Sequence, residues 1–153
     1  MSDIEEEKVK LVEVMYNKCY GGFQVSREAL QRYMELKKIM GFDMTEVQDR
    51  EITRGIDRTD EIMIKIVKEL GTRANCKYSD IGIRSFPFRY KDHIEIGEYD
   101  GYENAYVNFD AYKLANINKL CNNCNDMDHE SKIAKIKQIL DEKEEHVEHE
   151  KDI

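Results

Sequence analysis

The chain has 153 residues, 41% hydrophobic and 37% charged, with a formal net charge of −8. That length suits one domain able to bury a core, and no apolar run approaches the roughly 20 residues a membrane helix requires. Residues 1–8 sum to −3 and residues 141–153 to −5, so residues 9–140 are formally neutral. Two acidic ends on a neutral body argue against a nucleic-acid backbone as partner, because such binders carry basic patches. The start, MSDIEEEKVK, lacks the basic and apolar regions of a signal peptide. The expectation is an intracellular protein whose four cysteines are reduced thiols.

In chain order, KVKLVEVMY (8–16) alternates at Val9 and Leu11 and, less strictly, at Val14 and Tyr16. It reads as a half-buried strand, with a helix as the alternative because of the Glu-Lys run before it. NKCYGGFQVS (17–26) follows, with the sequence's only Gly-Gly pair, and Ser26 has the chemistry of a helix N-cap. SREALQRYMELKKIMG then repeats apolar residues at Ala29, Leu30, Tyr33, Leu36 and Met40, one face of a helix closed by Gly41. Residues 42–58 are mixed and charged and read as a loop with at most a turn of helix. Thr59 or Asp60 caps EIMIKIVKELG, whose stripe is Ile62, Met63, Ile66, Val67 and Leu70, with Gly71 as the stop.

Residues 79–88 read as extended, with Pro87 barred from a central ladder position. Residues 93–99 and 102–107 flank Asp100-Gly101 and read as a β-hairpin. Residues 109–121 suit a helix, and the Asn-rich 122–128 a linker. The last segment, from His129, is a helix with Ile133, Ile136, Leu140 and Val147 at heptad spacing, spoiled by Lys143. Beyond residue 141 the charge predicts a frayed tail. Strands and helices come in blocks, so the expected class is α+β. The expectation is one small antiparallel sheet of three to four strands on two to three amphipathic helices. The predicted divisions are an acidic lead (1–8), the domain (9–121), and a linker with a C-terminal helical extension (122–153).

A strand, two glycines and a capped helix outline an anion site, because backbone N–H groups and the helix dipole favour negative charge there. Tyr20, Gly21, Gly22 and Ser26 are its candidates, with Arg58, Tyr99 and Asp100 brought near. The glycines serve a tight strand-to-helix corner equally well. Cys121-x2-Cys124 with His129 is a possible zinc set whose fourth ligand, Cys19, Cys76 or His93, would have to come from a distant part of the chain. Cys121 also suits an apolar helix face. His146 and His149 share helix faces with Glu142 and Glu145, which a solvated surface explains as well. A Cys19/His93 nucleophile pair has no supporting motif around either residue. No cofactor is expected.

NKCYGGFQVSREALQRYMELK, IDRTDEIMIKIVKELGTRANCKYSDIGI and IEIGEYDGYENAYV, taken together, resemble a family of small uncharacterised proteins of tailed phages and large eukaryotic DNA viruses. Its motifs are C-Y-G-G-F-x-x-S, matched by Cys19, Tyr20, Gly21, Gly22, Phe23 and Ser26, and D-R-x-D, matched by Asp57, Arg58 and Asp60. They continue with E-L-G at Glu69, Leu70 and Gly71, and an E-Y-D-G hairpin at Glu98, Tyr99, Asp100 and Gly101. The resemblance covers about residues 11–107. SFPFRYKDH departs from it in being basic and aromatic, and residues 108–153 have no counterpart. The resemblance implies a viral origin, and it does not point to any particular reaction. The expected function is a non-catalytic, virion-associated or host-interacting protein. It would act through protein–protein contacts and self-association, as a homodimer, in the host cell cytoplasm or the virion. The alternative is a module binding a small, nucleotide-like anion at the Gly-Gly corner.

Overall fold

A computed structural model describes residues 10–38, 46–123 and 125–147. The elements are β1 (Leu11–Asn17), α1 (Arg27–Lys37), α2 (Glu46–Gly55), α3 (Glu61–Leu70), β2 (Ile81–Pro87), β3 (Ile94–Tyr99), β4 (Tyr102–Val107), α4 (Phe109–Asn123) and α5 (His129–Asp141). Short 3-10 turns follow α3 and β2, at Gly71–Ala74 and Phe88–His93. The class is α+β. Among the described residues no helix is long and apolar enough to cross a membrane.

The strands do not form the single sheet of three to four strands expected from sequence. They form two antiparallel pairs, β1 with β2 and β3 with β4. Side chains replace the ladder where the pairs meet. The Asn17 N–H donates to a Glu103 carboxylate oxygen at 2.9 Å instead of to a strand carbonyl, and the Arg84 guanidinium donates to the Ala105 carbonyl at 2.6 Å.

β1 is also not half-buried. Val14 and Met15, adjacent and therefore on opposite faces, are both fully buried. Met15 enters a core built by α1 and α3 through Leu30, Tyr33, Met63, Ile66 and Val67. Val14 enters a second core with Phe86, Tyr90, Ala105, Val107 and Tyr112. A strand covered on both faces is the wall the two cores share.

α1 and α3 start where the capping chemistry predicts. The Ser26 hydroxyl accepts from the Ala29 N–H, and the Asp60 carboxylate accepts from the Ile62 and Met63 N–H groups. The other Asp60 oxygen accepts from the Tyr33 hydroxyl at 2.9 Å, joining the two helices. Burial, then the Asp60 hydrogen bond and charge, push the Tyr33 hydroxyl up to about 12. α1 ends earlier than expected: Lys38 adopts the left-handed cap at φ 54. Gly41, the predicted stop, lies outside the described residues.

The predicted 42–58 loop is corrected for residues 46–55, which form α2. Its inward positions include polar Asp49 and Thr53, both buried. The Thr53 hydroxyl donates to the Asp49 carbonyl, and the Arg27 guanidinium meets the Asp49 carboxylate at 3.2 Å. A helix that buries polar side chains shows no clean apolar stripe.

Pro87 ends β2 opposite Leu11, at a pair that requires no N–H from it. The Asp100-Gly101 turn has both residues at positive φ, 49 and 85, the geometry of the tight two-residue hairpin. α4 and α5 form a helical pair, and α5 stops at Asp141, where the charged tail begins. Residues 142–147 pack back on the body, and residues 148–153 of the predicted tail lie outside the described residues. The Glu145 N–H donates to the Tyr90 hydroxyl at 3.0 Å, and its carboxylate meets Arg89 at 2.7 Å.

Candidate functional site

The Gly-Gly corner and the β3–β4 hairpin tip meet, and Asn17 joins them. This side chain is fully buried at the end of β1. Its amide nitrogen donates to the Cys19 carbonyl at 2.7 Å and to the Gly101 carbonyl at 2.8 Å. Its amide oxygen accepts from the Asp80 N–H at 2.8 Å. A single amide thereby satisfies the corner, the hairpin tip and the start of β2, with donor and acceptor capacity both used.

The glycines permit this approach. A Cβ at Gly21 would sit 1.6 Å from the Tyr78 carbonyl oxygen. A Cβ at Gly101 would sit 2.5 Å from the Gly22 nitrogen. Gly22 has φ +89, yet open space around it. Gly21→Ala is therefore expected to cost about 2–3 kcal/mol by forcing the 77–79 backbone away, and Gly22→Ala only about 1 kcal/mol of backbone strain. Paired urea denaturation curves check the order. Equal losses at the two positions would show that the corner is not close-packed against Tyr78.

Arg58 and Glu103 form the second tie. The guanidinium is held bidentately by the carboxylate, at 2.6 and 2.9 Å. Its carbon lies 3.5 Å from the Phe23 ring centroid, stacking the cation on the corner's aromatic residue. Glu103 is buried and stands directly opposite Glu98 on the hairpin. Like charges in register destabilise a strand pair. Here Arg58 neutralises one, and the other carboxylate accepts from the Gly101 N–H at 2.7 Å.

Ser26 uses its hydroxyl twice, accepting from Ala29 N–H and donating to the Arg73 carbonyl at 2.6 Å. Arg58 lies beside the corner, but its charge is matched by Glu103. Tyr20 projects outward, 67% exposed. Its ring centroid lies 5.4 Å from that of Tyr102. Tyr99 is 78% exposed and is the cross-strand neighbour of Tyr102. Asp100 is exposed at the turn. The structure thus gathers Tyr20, Gly21, Gly22, Tyr99, Tyr102 and Gly101 at one tip, above a polar interior built by Asn17, Arg58 and Glu103.

Cys19 and His93 are not brought together. The Cys19 thiol lies 3.1 Å from the Tyr78 carbonyl oxygen, whereas His93 packs on Tyr112 in the second core. Cys121 is exposed in the last turn of α4 and His129 is exposed at the start of α5. Cys124 and His149 lie outside the described residues. Among the described residues, no group of three or more His, Cys, Asp or Glu is disposed to hold a metal ion.

Sequence reasoning missed Asn17 and Glu103. For Glu103 a signal existed: it shares strand parity with Ala105 and Val107, the buried face of β4. For Asn17 there was none, because an asparagine beside a turn is ordinary. A scan of protein-family models and searches of curated proteins and of solved structures return no match to this chain.

Proposed function

We propose that this protein is a non-catalytic interaction protein that self-associates through the tyrosine-bearing tip. The carrying observation is the cluster of exposed Tyr20, Tyr99 and Tyr102 on a base tied by Asn17 and by the Arg58–Glu103 pair. Tyrosines give large contact area for little conformational entropy and recur at binding hot spots. A tied base keeps that cost low. The groups an anion would need favour this reading over a nucleotide-like ligand at the corner, since the Ser26 hydroxyl and the Arg58 charge already have partners. The resemblance to phage and DNA-virus proteins supports a setting in the virion or the host cell cytoplasm, with a viral or host protein as a further partner.

Light scattering on the full chain at about 100 μM tests self-association, a concentration at which contacts of micromolar affinity are populated. The expected result is a dimer that becomes a monomer in Tyr20→Ser/Tyr102→Ser, with the circular dichroism spectrum unchanged. A monomeric wild type, or a dimer indifferent to the double substitution, overturns the proposal.

A further inference from the structure

The outer edge of β1 shares no residue with the tyrosine tip. The β1 ladder alternates. Lys18 N–H donates to the Asp80 carbonyl and Phe88 N–H to the Lys10 carbonyl, so the even-numbered residues of β1 face β2. The odd-numbered residues point their backbone groups the other way. Met15 N–H donates to the Arg58 carbonyl at 2.8 Å, and Asn17 N–H to Glu103. Leu11 and Glu13 share that outward edge, and among the described residues their N–H groups have no partner.

These two residues open onto a groove of about 400 Å³ between β1 and α3. Leu11, Ile64 and Phe88 give it apolar surface. Lys10, Lys65 and Lys68 face Glu13 and Glu61 there, leaving the groove net positive in a chain of net charge −8. Lys68 is paired with Glu13 at 2.5 Å and Lys10 lies over the Phe88 ring at 3.9 Å. Lys65 is exposed on α3 with no carboxylate partner among the described residues.

We propose that this groove binds an extended acidic peptide of a partner protein, which adds to the free edge of β1 as a strand. An edge strand beside a helix supplies main-chain hydrogen bonds for affinity and side-chain contacts for selectivity. The Arg58 carbonyl already occupies the next position on the same edge, so the peptide extends a pairing the fold begins. An apolar side chain fits against Leu11, Ile64 and Phe88, and carboxylates meet Lys10 and Lys65.

The test is an amide NMR titration of the full chain with the acetylated, amidated peptide EVDVE. Expected are shifts and slowed hydrogen exchange at Leu11 and Glu13 on adding peptide to about 2 mM, a range that detects weak binding. Lys65→Glu is expected to weaken binding about ten-fold, and so is a proline in place of the peptide's central aspartate, which removes an N–H. No shifts at that concentration, shifts confined to the tyrosine tip, or indifference to the proline overturns the proposal. Protection of Leu11 and Glu13 before any peptide is added also overturns it, because the chain would then fill its own groove. None of these readouts depends on self-association through the tip, so the two proposals fail separately.

Discussion

Asn17→Ala is expected to destabilise the protein by about 3–5 kcal/mol, since each buried polar group left unpaired costs about 1–3 kcal/mol. The substitution orphans the Asp80 N–H and two carbonyls at once. It also opens a cavity at a fully buried position. Asn17→Asp keeps the shape but turns a carboxylate toward the Cys19 and Gly101 carbonyls, so it is expected to be no better tolerated. Urea denaturation of both variants measures the loss. A cost under about 1 kcal/mol would mean that water takes over the amide's hydrogen bonds. The functional consequence follows from the same bonds: Asn17 anchors the hairpin tip on the corner, so the surviving folded fraction is expected to dimerise more weakly.

Removing one partner of the Arg58–Glu103 pair comes second, because a buried charge stripped of its partner costs about 3–5 kcal/mol. Glu103→Ala leaves the guanidinium without its carboxylate and the Asn17 N–H without an acceptor. Arg58→Ala leaves Glu103 buried, charged and opposite Glu98. The Arg58 side chain is 27% exposed, which places the expected loss near the lower end, about 3 kcal/mol. Arg58→Lys retains the charge but neither the bidentate geometry nor the stack on Phe23, so it is expected to restore less than half of the loss. A double-mutant cycle isolates the coupling. Independent, additive effects of the two substitutions would show that the pair does not fasten the hairpin to the α2–α3 connection.

Local chemistry alone sufficed for several features. Ser26 and Asp60 cap helices because their side-chain oxygens accept from the first free N–H groups, whatever lies beyond. Asp100-Gly101 turns a hairpin because both positions tolerate positive φ. The α3 stripe and the α+β class rest on periodicity and block order in the same way. α2 was not legible, because its buried positions include Asp49 and Thr53 and so carry no apolar period. α1 stops at Lys37, three residues before the end of its apolar pattern.

The candidate site was legible in its parts and not in its assembly. The Gly-Gly pair stood out, but the reason for Gly21 is the Tyr78 carbonyl, which is 57 residues away in the chain. Arg58 was legible as a candidate partner for an anion or for a local carboxylate, but its capture by a glutamate from β4, 45 residues on, was not. Tyr20, Tyr99 and Tyr102 stand out in the sequence as aromatics at the corner and the hairpin, yet only packing sets Tyr20 against Tyr102 and leaves both exposed. The residues fixed the caps, the turns and the helical faces, which depend on neighbours within about four positions. Tertiary structure decided that β1 is a wall between two cores, that the sheet splits in two, and that the corner's polar groups are spent on one another. Those outcomes depend on which distant groups compete for a given hydrogen bond or surface, and a linear pattern does not encode that competition.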